Sequence, residues 1–177
     1  MNIDKQNNLN IAYIGNFLNH GVSLSQFGAG LCYLLSKIEK IKEIDVICPK
    51  KDNLEDDINI NKIKILEEWD NKDLFSFKNV IKRIYFKKYD IIIFNINPTS
   101  FSEKNIINLF GLILPLIIKI LFKKRVIIIY HNSAFTSNIE KLGYGSFSDK
   151  FKYKVLLLIE TLIFKNIETF FTLKFYK

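Results

Sequence analysis

The chain has 177 residues, 49% of them apolar, 16 Phe and a formal net charge of +8. That length suits one domain with a substantial core and is short for two, and so apolar a composition excludes a disordered chain. The positive charge comes from 24 Lys and only 2 Arg, which disfavours forked guanidinium recognition of phosphate and so excludes nucleic acid as the expected partner.

The leader MNIDKQNNLN is polar and lacks the apolar core of a signal peptide, so the cytoplasm is the expected compartment. LNIAYIG (9–15) predicts a strand ending at Gly15, followed by a loop through Asn16, His20 and Gly21. In the next helix Ser23 and Gln26 have capping-box spacing, while Leu31, Leu34, Leu35 and Ile38 recur at helical period. Gly28 and Gly30 lower its propensity but suit close packing on a sheet. Strands are predicted over 44–48, before Pro49, and over 63–66, with the charged stretch KKDNLEDDININ as a surface loop between them.

Residues 74–88 carry Phe75, Phe77, Val80, Ile81, Ile84 and Tyr85 among basic residues, the pattern of an amphipathic helix. DIIIFNI (90–96) is a continuous apolar strand stopped by Asn97-Pro98. In 105–122 the residues Asn105, Asn108, Pro115 and Lys119 leave the apolar stretch short of the roughly 20 residues a bilayer needs. A core helix kinked near Pro115 is predicted instead. Arg125–Tyr130 is a buried strand that runs into His131, and a polar loop follows through Gly143 and Gly145. A helix over 150–165 places Phe151, Val155, Ile159 and Leu162 on one face, flanked by Lys150, Lys152 and Lys154. The last strand is 167–172.

Six strands alternating with four helical segments predict a single α/β domain over residues 1–177, a Rossmann-like, doubly wound and mostly parallel sheet. Cys32 and Cys48 have neither disulfide nor zinc spacing, so no metal site is expected. The GxGxxG of dinucleotide enzymes is missing after the first strand, and no cofactor is expected. Ligands of such sheets collect at the carboxyl ends of the strands, where His131 is the first ionisable group beyond its strand. Asn95, Asn97 and Ser133 end neighbouring strands, and Gly15, Asn16, His20 and Gly21 line the loop after the first. Turn and capping chemistry satisfies the same residues.

The succession LNIAYIG, Gly21 loop, long helix, DVICP, YDIIIFNIN, RVIIIYHNS, basic apolar helix and IETFFTL resembles the N-terminal domain of family 4-type retaining glycosyltransferases, one half of a GT-B fold. The resemblance spans nearly the whole chain and implies an acceptor-side domain whose nucleotide-sugar donor is held by a C-terminal domain across a cleft. It places His131 near the transferred sugar, as the catalytic or sugar-positioning residue, and Gly15, Asn16, His20, Gly21, Asn97 and Ser133 at the substrate. The family's Gly-Gly pair before the first helix is missing; Ser23, Ser25 and Gln26 stand there. The donor-binding cation and carboxylates belong to the C-terminal domain, which this chain is expected to lack. Hexosyl transfer then requires a second domain or chain. The implied partners are a nucleotide-sugar donor, a sugar or lipid-linked acceptor and an anionic surface on the inner face of the cell membrane. The alternative is a non-catalytic α/β binding or membrane-associated module.

Overall fold

Short runs of Ile, Val and Phe without polar alternation are stable as strands only where both faces of a sheet are covered. The computed structural model, which describes residues 8–17, 23–50, 62–97, 100–102, 104–131 and 147–172, meets that condition with β1 (Leu9–Gly15), α1 (Ser23–Ser36), β2 (Ile41–Pro49), β3 (Ile63–Trp69), α2 (Phe77–Phe86), β4 (Ile91–Ile96), α3 (Asn105–Phe122), β5 (Arg125–His131), α4 (Phe147–Asn166) and β6 (Glu168–Thr172). The sheet order is β3-β2-β1-β4-β5-β6 and every pairing is parallel. From β1 the chain winds outward to β3, returns to the other side of β1 as β4, and winds outward again to β6. The reversal between β1 and β4 is the switch point at which a doubly wound sheet opens a crevice.

Alternate side chains divide the core in two. Ile11, Tyr13, Ile44, Val46 and Ile93 face α1. Ala12, Ile14, Ile92, Phe94, Val126 and Ile128 face the layer made by α2, α3 and α4. Tyr130 of β5 donates to the fully buried carboxylate of Glu160 on α4 at 2.8 Å, which gives that charge a polar partner inside the second core.

Helical periodicity located the helices correctly but chose the buried side chains less well. On α1 the fully buried residues are small, Ser25, Gly28, Cys32 and Ser36, with Leu31 and Leu35 partly buried against the same core, while Leu34 and, just beyond the helix, Ile38 face solvent. The cause is close approach: a Cβ on Gly28 would collide with the Tyr13 phenol, whereas Gly30 has open space around it. On α2 the core side chains are Phe77, Val80 and Ile84, with Phe75 and Tyr85 exposed. On α4 Ile159 and Ile163 are buried and Val155 partly so, leaving Phe151 and Leu162 outside.

Boundaries also differ from expectation: β3 runs on to Trp69 and α4 starts at Phe147. β2 starts at Ile41, because Leu9 and Asn10 of β1 find partners in Ile41 and Glu43. Residues 74–76 form a 3-10 turn ahead of α2, capped by the Asp73 carboxylate, which accepts from the Phe75 N–H at 2.9 Å. α3 is one continuous helix through Pro115. Its length and composition would serve for a membrane span, yet Ile107, Leu112, Leu114, Pro115 and Ile118 are buried in the domain and the helix lies against α2, α4 and β5. Packing of this kind offsets the backbone hydrogen bond that Pro115 cannot make.

Candidate functional site

The carboxyl ends of β1, β4 and β5 meet beside the first turns of α1. Gly15 of β1 is in register with Asn95 of β4, and a Cβ on Gly15 would lie 2.7 Å from the Asn95 carbonyl oxygen. A glycine is thus the residue that lets the two strands come together at the switch point.

Asn95 is 1% exposed, so both ends of its amide need partners. Its Nδ2 donates to the Leu24 carbonyl of α1 at 3.2 Å. With the nitrogen so used, Oδ1 faces His131 Nε2 at 2.7 Å, and the geometry makes Nε2 the donor. The Phe27 ring, half-exposed on α1, meets the imidazole edge-on, with centroids 5.1 Å apart at 79°. His131 is therefore held in orientation by a strand neighbour and a helix side chain.

Tyr13 lies under the same residues. Its hydroxyl is 3.5 Å from the Asn16 carbonyl. Burial pushes the phenol far above its ordinary range and the nearby Cys32 thiol adds to this, while a hydrogen bond with Asn95 works the other way. This phenol stays protonated at any physiological pH and serves as a packing and hydrogen-bonding group rather than as a base.

An imidazole whose Nε2 donates to a buried amide oxygen is held in one orientation at the rim of the crevice.

Of the residues singled out in the sequence, the structure brings Gly15, Asn95 and His131 together, with half-buried Asn16 next to them. Asn97 is engaged in a turn instead: its N–H donates to Ser100 Oγ, and that hydroxyl donates to Asn97 Oδ1 at 3.0 Å. His20, Gly21 and Ser133 lie outside the described residues. Phe27 and Tyr13 were not foreseen as part of this site. Tyr13 reads simply as a core strand residue, and nothing in the spacing of Phe27 marks it for contact with a residue more than a hundred positions away.

A second polar cluster lies inside the sheet. Asp45 of β2, 1% exposed, accepts from the Tyr89 hydroxyl at 2.5 Å and from Lys87 Nζ at 2.8 Å. Lys87 also pairs with Glu43 at 2.9 Å. Alongside, a groove of about 550 Å³ is lined by Glu68, Asn79, Lys82, Arg83, Phe86 and Lys87. Its cations Arg83 and Lys87 are committed to Glu68 and to the Asp45 and Glu43 carboxylates, while Lys82 on its rim is exposed. Among the described residues no three His, Cys, Asp or Glu side chains converge to hold a metal.

The fold and this site together define a doubly wound, all-parallel α/β domain with an asparagine–histidine pair at its switch point. Comparison with protein-family models, curated proteins and solved structures gives no match.

Proposed function

We propose that the domain is the acceptor side of a nucleotide-sugar-dependent glycosyltransferase of the GT-B type, with His131 orienting a sugar hydroxyl at the crevice. The observation that carries this reading is the 2.7 Å contact between Asn95 Oδ1 and His131 Nε2 at the carboxyl edge of the sheet. It fixes an ionisable ring where ligands of such sheets bind. The strand order, with its reversal between β1 and β4, agrees with half of a GT-B enzyme. Fold alone is shared by many activities, and the weight rests on the histidine.

In this reading the donor's diphosphate, and the cationic and carboxylate groups that hold it, belong to a second domain or chain. His131 supplies position rather than bond cleavage, and Phe27 gives the ring a fixed wall.

The test is sugar transfer from nucleotide sugars, measured in an extract of producing cells with wild-type chain or His131→Ala added back to a strain lacking it. Loss of transfer by the variant, with a melting temperature within a few degrees of wild type, supports the proposal. Transfer that is equal with both chains overturns the role of His131. Absence of any transfer that depends on the chain favours the non-catalytic binding module.

A further inference from the structure

The layer made by α2, α3 and α4 has more apolar surface than its own core uses, and its charge is mostly basic. The three helices carry eight basic residues (Lys78, Lys82, Arg83, Lys119, Lys150, Lys152, Lys154, Lys165) against two acidic ones, Asp149 and Glu160. Glu160 is buried against Tyr130.

The apolar excess is concentrated where α2 and α3 end. Tyr85 and Phe86 close α2 at 66% and 70% exposure, and Ile120 and Leu121 close α3 at 72% and 61%. The two ends form one patch, because the Tyr85 ring lies 5.1 Å from Phe86 and 6.0 Å from Phe122 across the helices. Lysines follow each apolar tip: Lys88 after α2 and Lys123 after α3, both exposed, with exposed Lys82 one turn earlier. Of the nearby carboxylates, Asp45 and Glu43 hold Lys87, and Asp90 accepts from the Asn10 N–H at 2.7 Å.

Apolar side chains that project outward between lysines are arranged to enter the head-group region of a bilayer, with the ammonium groups left at lipid phosphates. We infer that the joined ends of α2 and α3 dock this domain on an anionic membrane surface. Charge complementarity selects that occupant over a second copy of the chain, because pairing this layer with itself would bring two basic surfaces together. The inference stands independently of the proposed glycosyl transfer. In a parallel sheet the crossover helices run back against the strands, so α2 and α3 end at the amino edge. With β4 spanning six residues, the crevice lies about 20 Å away at the other edge. A domain docked in this way turns its crevice toward water.

The test is co-sedimentation of the full chain with vesicles of phosphatidylcholine alone, and with vesicles of equal parts phosphatidylcholine and phosphatidylglycerol. Binding is expected to the anionic vesicles only and to weaken as salt rises. A lysine at an anionic surface contributes about fivefold in affinity, so replacing Lys82, Lys88 and Lys123 by Gln should weaken binding about a hundredfold. Phe86→Ser with Leu121→Ser should also release the protein. Lys37→Gln with Lys40→Gln, beyond α1, should change it less than twofold. All of these side chains are exposed, so melting temperatures should match wild type and separate lost docking from lost folding. Absence of binding at low salt, binding that the first two variants leave intact, or equal binding to neutral vesicles overturns the inference. So does self-association without lipid that the apolar variant abolishes, which would assign the patch to a second copy.

Discussion

Asp45 and Asn95 are buried to the same degree, each on an inner strand of one sheet, and they do different things. Asp45 lies inside β2 and its partners, Tyr89 and Lys87, come from the segment that brings the chain from α2 back to β4. The cluster pins the crossover that creates the switch point, and Lys87 ties it on to Glu43. Asn95 stands near the end of β4, and its partners are a helix carbonyl and a half-exposed imidazole. That network leads outward. A buried polar group inside a strand is thus a device for holding connections, whereas the same burial at a strand end can be used to orient a group that meets a ligand.

The comparison is broken most directly at Asp45. Asp45→Ala leaves the buried Tyr89 hydroxyl without its acceptor and Lys87 with Glu43 alone, and losing hydrogen bonds to a charged group while a buried donor stays unsatisfied costs about 3 kcal/mol. Urea unfolding should show that loss as a lowered midpoint with an unchanged slope. Asn95→Ala removes the hydrogen bonds of a buried amide to the Leu24 carbonyl and to His131, and should cost about 2 kcal/mol. Equal losses for the two variants would mean that both clusters are structural and that the Asn95 network has no special claim to function. A distinct outcome, the smaller loss with the His131 ring freed, would appear as altered histidine resonances in the Asn95 variant.

The sequence announces the sheet because its strands are unusually plain. Runs such as Ile91–Phe94 and Val126–Tyr130 admit one environment, and the segments between them have helical spacing. Boundaries shifted where pairing extended a strand past its apolar run, as at Ile41. Which helix face is buried was less legible, for a physical reason. In a chain so rich in apolar residues every helix shows more than one apolar stripe, and the choice depends on space at the sheet. On α1 the closest approach falls at Gly28, because Tyr13 fills the space from below. His131 could be read from its place after the Arg125–Tyr130 run. Its partners could not, since the Asn95 bond joins residues 36 positions apart and the Phe27 contact depends on how α1 lies on the sheet.

The smallest effect sharpens the account of the Asp45 cluster through pH. Burial, and then the hydrogen bond and negative charge of Asp45, raise the Tyr89 phenol above its ordinary value of 10.0 in the folded chain. The unfolded chain gives up that proton at lower pH, so stability from the protonated phenol is fully present below about pH 10 and falls as pH rises beyond it, by at most about 1.4 kcal/mol per pH unit for one group. Tyr13 and Tyr130 are raised mainly by burial, and Cys32 is pushed up by burial to about 12 from 9.0, so the wild-type loss in alkali is their joint slope. Tyr89→Phe removes one of these protons. Below pH 9 it should be less stable than wild type by about 1 kcal/mol, the worth of the bond to Asp45. Above pH 10 the gap should narrow, because only the wild type has the Tyr89 proton to lose. Urea midpoints collected from pH 8 to about pH 11 measure this directly. A gap that stays constant over the range would show that the Tyr89 phenol titrates alike in folded and unfolded chains and that Asp45 does not hold its proton in place.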